Sequence, residues 1–109
     1  MADVTFITLE KVLEMKANGK EFTLLDVLSE DDFNEGHIPG ATNIPSEKIV
    51  AEAQKSVPRD RPVVTYCAGY ECTASTIAAR KLQDVGYSDV LDFKGGLQVW
   101  SNAGFELES

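Results

Sequence analysis

Two cysteines stand five positions apart, Cys67 and Cys72, with Ala68-Gly69-Tyr70-Glu71 between them. Cys67 lies where the apolar stretch Val63-Val64-Thr65-Tyr66 ends, and the residues from Thr73 to Val85 read as a helix. At such a junction the loop amides and the first helical turn leave several N–H groups unpaired and directed at one spot. The helix dipole adds positive potential there. A thiolate is stabilised in that field, so Cys67 is predicted to have a pKa below that of a free thiol and to act as a nucleophile. A structural cysteine would more naturally lie within the strand and face the core. Cys72 is open between a resolving thiol, closing a disulfide with Cys67 or taking over its sulfur, and a small loop side chain of no chemical role; a disulfide with Cys67 needs a Cα separation below about 7 Å.

Other chemistries fit less well. Structural zinc takes about four ligands, and the chain offers two cysteines and one histidine, so no metal is expected. The spacing Cys67-x-x-x-x-Cys72 is not a C-x-x-C redox motif. A cysteine phosphatase needs an arginine to clamp an oxyanion, and the position that would close the loop is Thr73. Gly95-Gly96 lacks the further glycine and the lysine of a phosphate cradle. No cofactor is expected.

The remaining composition fits one globular unit over residues 1–109. Hydrophobic residues make up 43% of the chain, far above a disordered composition. A chain of this length buries roughly 60–70% of its unfolded surface and needs no disulfide staples. The net charge of −8 and a pI near 4.5 argue against nucleic acid and anionic membranes as partners. The first residues, Met1-Ala2-Asp3-Val4, show neither a basic stretch nor an apolar run of signal length. Two cysteines without an export signal point to a reducing cytoplasm.

The elements that must position Cys67 alternate. Phe6-Ile7 reads as a short opening strand. Thr8 caps a helix over residues 9–18, which Gly19 stops. Residues 22–27 form a near-continuous apolar run, the pattern of a strand buried on both faces, with Asp26 near its end. Ser29 and Asp32 have capping-box spacing for a short helix over 30–35. Residues 42–44 read as a brief strand, and Ser46 as the cap of a helix reaching residue 55. The Val63–Tyr66 strand follows. On the long helix after it, Ile77, Ala78, Lys81, Leu82 and Val85 form the packed side. Val90 to Phe93 is the last strand, and Gly95-Gly96 leads into a helix carrying Leu97 and a core Trp100. Alternating strands and helices imply an α/β fold, a mainly parallel central sheet flanked by helices on both faces. Sites in such sheets lie at the carboxyl ends of strands.

With these residues in view, the chain resembles the rhodanese-like sulfurtransferase domain over nearly its whole length. Leu25-Asp26-Val27 followed by Phe33-Asn34-Glu35-Gly36-His37-Ile38-Pro39-Gly40-Ala41-Thr42-Asn43-Ile44-Pro45 looks like the first signature. Tyr66-Cys67, Ser75, Ala78-Ala79, Leu82 and Gly86-Tyr87 look like the active-site loop and its helix. Gly95-Gly96-Leu97, Trp100 and Gly104 look like the closing signature. The resemblance implies that Cys67 accepts a sulfane sulfur as a persulfide, from thiosulfate or a persulfide, and passes it to a thiol, cyanide or protein acceptor. It implies that Ala68, Gly69, Tyr70, Glu71, Cys72 and Thr73 bind the substrate through a cradle of amides, and that His37 is structural. Asp26 caps loop amides at its strand end rather than acting as a base.

Three positions depart from the family pattern. Cys72 stands where a basic residue is common, the loop is longer by about two residues, and Leu28 replaces a frequent arginine. The loop then holds Glu71 and no cation, which predicts weak attraction for an anionic donor such as thiosulfate. Two rival readings stay open beside sulfur transfer: a dithiol redox protein using Cys67 and Cys72, and a non-catalytic module that binds a partner.

Overall fold

The computed structural model describes residues 4–109. Among them five strands, β1 (Thr5–Phe6), β2 (Thr23–Asp26), β3 (Thr42–Asn43), β4 (Val63–Tyr66) and β5 (Val90–Asp92), join one sheet in the order β1-β5-β4-β2-β3. Every pairing is parallel, as the alternation of strands and helices requires. The helices are α1 (Leu9–Ala17), α2 (Glu30–Glu35), α3 (Ile49–Ser56), α4 (Ala74–Asp84) and α5 (Gly96–Asn102).

Strand β4 lies at the centre of the sheet, between β5 and β2, so both of its faces are buried. Successive residues point to opposite faces, and this divides the core in two. Val63 and Cys67 join Leu25, Ile49, Ala53, Ala78, Ala79 and Leu82 under α3 and α4. Val64 and Tyr66 join Leu24, Val12, Met15, Phe93 and Trp100 under α1 and α5. The expected helix-covered parallel sheet is therefore present. The caps at Thr8 and Ser29 form as expected, accepting from the amides of Lys11 at 3.2 Å and Asp32 at 3.1 Å. Gly19 ends the first helical segment with φ of +66°, a conformation open to glycine.

Two local expectations are corrected. Ser46 does not cap α3; it begins a 3-10 turn, Ser46–Lys48, and α3 starts at Ile49. The Ser46 hydroxyl donates instead to the Ala74 carbonyl at 3.4 Å. The packed side of α4 is also rotated. Ser75, Ala78, Ala79 and Leu82 are buried, while Ile77 is 45% exposed. The small residues Ser75 and Ala79 let the helix sit close on the sheet, where Thr65 Oγ1 donates to the Ser75 carbonyl at 3.0 Å.

Candidate functional site

The loop from Cys67 to Thr73 rises from the carboxyl end of β4 and drops into α4, so its shape follows from where those two elements start and stop. Its first residues are held from below by the segment after β5. The amides of Leu97 and Gln98 donate to the carbonyls of Cys67 at 3.0 Å and Ala68 at 2.9 Å. This contact needs Gly96. A Cβ there would lie 2.1 Å from the Cys67 carbonyl oxygen, and φ is +53°. The Gly95-Gly96 pair thus clamps the loop by close backbone approach.

Cys67 is fully buried. Its thiol donates to the Cys72 carbonyl at 3.4 Å. Burial pushes the Cys67 pKa up, and contact with the Cys72 thiol adds to this; the Ser75 hydroxyl and amide pull the other way without prevailing. The expected depression of the Cys67 pKa is therefore corrected to a rise. The physical reason is that desolvation of a thiolate at a buried position outweighs the few amides that reach it.

Cys72 has the character expected of its neighbour. Burial is again the largest single influence and is unfavourable to charge. The hydrogen bond from Cys67, the amides of Ala68 and Ala74, and the charge of Lys94 together outweigh it and lower the Cys72 pKa. Both cysteines are free.

Lys94 was not foreseen. Its ammonium donates to the Cys72 carbonyl, so the loop does carry a cation, supplied 22 residues downstream. The expectation of a loop without a nearby cation is thereby corrected. Its signal in the sequence was a basic residue two positions after β5, which neighbours β4 in the sheet, and immediately before Gly95-Gly96.

A surface pocket of about 620 Å³ is lined by Ala68, Gly69, Tyr70, Glu71, Cys72 and Gln98. Five of the residues expected at the substrate share this wall, and Gln98 joins them. Thr73 and Cys67 are not in the lining. Tyr70 is exposed at the rim. The Ser75 hydroxyl is buried in the first turn of α4 with no nitrogen or oxygen partner, and the group it acts on is the Cys67 thiol.

Asp26 sits at the end of β2. Its Oδ1 accepts from the Leu28 amide at 2.9 Å, the capping role expected of it. Burial raises its pKa, against the lowering pull of Tyr66 and the Leu28 amide. Tyr66 in turn accepts from the Ile38 amide at 3.0 Å. His37 Nδ1 pairs with the Phe33 carbonyl at 2.9 Å, and its ring stacks on Phe33 at 3.7 Å. The His37 backbone exchanges hydrogen bonds with Glu108. These contacts tie the connector together.

Among the described residues no cluster of His, Cys, Asp or Glu is placed to hold a metal, and no helix is long and apolar enough to cross a membrane.

This fold, a parallel sheet with a cysteine loop leaving its central strand, has counterparts among known proteins. The chain belongs to the rhodanese-like domain family, whose model matches residues 8–103. It is 30% identical to thiosulfate sulfurtransferase GlpE of Shewanella oneidensis, over 94% of this chain and 98% of that protein. It is 34% identical to an HTH-type transcriptional regulator of Mycobacterium tuberculosis over 94% of this chain, spanning 44% of that longer protein. Among solved structures, a thiosulfate sulfurtransferase from Pseudomonas aeruginosa superposes with a TM-score of 0.84 at 36% identity, covering 95% of this chain and 20% of that one.

Proposed function

We propose that this protein is a sulfurtransferase that carries sulfane sulfur on Cys67. The observation that carries the reading is the position of Cys67, at the carboxyl end of the central strand beneath a loop clamped by Leu97 and Gln98. Membership of a family with relatives named sulfurtransferases supports it.

In the first step the Cys67 thiolate attacks the outer sulfur of a donor such as thiosulfate. The donor S–S bond breaks, sulfite leaves, and a Cys67 persulfide forms. In the second step a thiol or cyanide attacks the outer sulfur, and Cys67 leaves as thiolate. A covalent intermediate of this kind gives ping-pong kinetics. Ala68, Gly69, Tyr70, Glu71 and Cys72 form the wall that a substrate meets, and Thr73 closes the loop onto α4. Lys94 supplies positive charge for an anionic donor, which supports thiosulfate as a substrate. Two free thiols support a reducing compartment such as the cytoplasm.

The test is the mass of the protein after thiosulfate treatment and removal of excess donor. A gain of one sulfur is the expected result. Loss of two hydrogens would establish the dithiol redox reading instead, and no change would favour a binding module.

A further inference from the structure

Cys67 and Cys72 divide the properties a sulfur carrier needs. Cys67 is fully buried and absent from the pocket wall, whereas Cys72 is half-buried and forms part of that wall. A sulfane sulfur on Cys67 extends its side chain by about 2 Å beneath a loop whose Cys72 carbonyl is already 3.4 Å from Cys67 Sγ. Such a sulfur is directed from the buried thiol toward the half-buried Cys72 side of the loop. A small nucleophile such as cyanide can follow it in. A thiol carried on a peptide or protein meets Cys72 first.

We propose that Cys72 is a second sulfur-carrying thiol, which takes the sulfane sulfur from Cys67 and presents it at the pocket to peptide- or protein-borne thiols. This deepens the sulfurtransferase reading and rests on it.

The step balances without any co-reactant. The Cys72 thiolate attacks the outer sulfur of the Cys67 persulfide. A Cys72–S bond forms, the Cys67 S–S bond breaks, and the proton stays on the transferred sulfur. Cys67 departs as a thiolate. The Cys67 sulfur is reduced as the Cys72 sulfur is oxidised, so the pair exchanges oxidation states and no outside reductant is consumed. Attack on the inner sulfur would instead expel hydrosulfide and leave a disulfide that a reductant must open.

Three features favour the transfer. Exchange of this type runs best from a thiol whose pKa lies near ambient pH, and Lys94 with the amides of Ala68 and Ala74 moves Cys72 down from the ordinary thiol value in that direction. The departing Cys67 thiolate is met by the Ser75 hydroxyl, a buried donor that otherwise lacks a partner. The hydrogen bond from Cys67 to the Cys72 carbonyl holds the two ends of the loop in register.

The experiment loads the full chain with thiosulfate, removes the donor, caps thiols and persulfides with an alkylating agent, and locates the extra sulfur by fragment-ion mass spectrometry. The expected result is sulfur on Cys67 at early times and a growing share on Cys72 later. In parallel, Cys72→Ser and Cys72→Ala are assayed with two acceptors, cyanide and reduced glutathione. Each variant is expected to lose at least about tenfold more rate with glutathione than with cyanide. Sulfur that loads on Cys67 and never appears on Cys72, or equal losses with both acceptors, would overturn the relay while leaving sulfur transfer by Cys67 intact. Release of hydrosulfide with a Cys67–Cys72 disulfide would also overturn it. Failure of thiosulfate to label either cysteine would remove the sulfurtransferase reading together with the relay. The localisation in the unaltered protein stands even if both variants fail to fold.

Discussion

Lys94 donates to the carbonyl oxygen of Cys72, the same oxygen that accepts the Cys67 thiol at 3.4 Å. One backbone atom thus joins the cation, the buried thiol and the loop. The cation reaches the site from the end of β5, while both cysteines belong to the β4–α4 connection. Replacing Lys94 therefore disturbs both the shape and the charge of the loop.

Lys94→Met is expected to slow reaction with thiosulfate about tenfold more than reaction with an uncharged sulfane donor. Unit charges at contact distance near a protein surface interact by roughly 4 kcal/mol before screening, and the half-exposed setting of Lys94 reduces this to about 1–2 kcal/mol. The thiosulfate effect should shrink as salt is added. Second-order rates with both donors at two ionic strengths provide the check. Equal losses with both donors would show that Lys94 acts through loop shape alone.

The two thiols should ionise in an order opposite to the one their positions in the sequence suggest. Cys72, with its pKa lowered, is expected to be alkylated first at neutral pH, and Cys67 later and at higher pH. A thiol with a raised pKa gains thiolate as pH rises, so single-turnover cleavage of thiosulfate should still be climbing at the ordinary thiol value of 9.0. Timed alkylation with peptide mapping and a pH–rate profile test the two halves. A plateau below about pH 8 would contradict the burial of Cys67 as the controlling influence.

Gly96→Ala should damage both fold and site. The added Cβ meets the Cys67 carbonyl at 2.1 Å, and the backbone is already left-handed. Left-handed strain at a non-glycine residue costs about 1–3 kcal/mol, and the clash adds to it. A fall in the urea midpoint corresponding to at least about 2 kcal/mol is expected, together with loss of sulfur transfer. Ala at Gly104, where φ is also positive but nothing lies within 4 Å, serves as the comparison and should lose stability with activity retained.

Tyr66→Phe should destabilise the fold by about 1–3 kcal/mol. The substitution leaves the buried Ile38 amide without its 3.0 Å partner and takes from Asp26 a group that favours its charged form. Thermal unfolding of the variant beside the unaltered protein measures this. A midpoint shift below about 1 °C would show that solvent replaces the hydroxyl.

Most of the architecture was legible because local signals agree. The β2 and β4 runs are apolar on both faces, Thr8 and Ser29 are placed to cap, and Gly19 marks a stop. Where side chains act across the fold, the sequence was silent. Ser46 fits a cap by type, but its hydroxyl donates to the carbonyl of Ala74 at the start of α4. Ile77 fits the apolar period of α4, yet the helix presses its smaller residues to the sheet and leaves Ile77 exposed. At the site, Cys67 was legible as the residue after a buried strand. The rise in its pKa was not, because unpaired amides can be counted from sequence while desolvation depends on what covers the sulfur. Lys94 was missed because its contact with Cys72 crosses from one sheet connection to the next.

The most direct test of the account is the mass of three proteins after thiosulfate treatment: the unaltered chain, Cys67→Ser and Cys72→Ser. Cys67→Ser keeps the shape of the side chain but removes the sulfur that must attack. The account predicts one added sulfur on the unaltered chain and on Cys72→Ser, and none on Cys67→Ser. One added sulfur on Cys67→Ser at the rate of the unaltered chain would contradict Cys67 as the carrier.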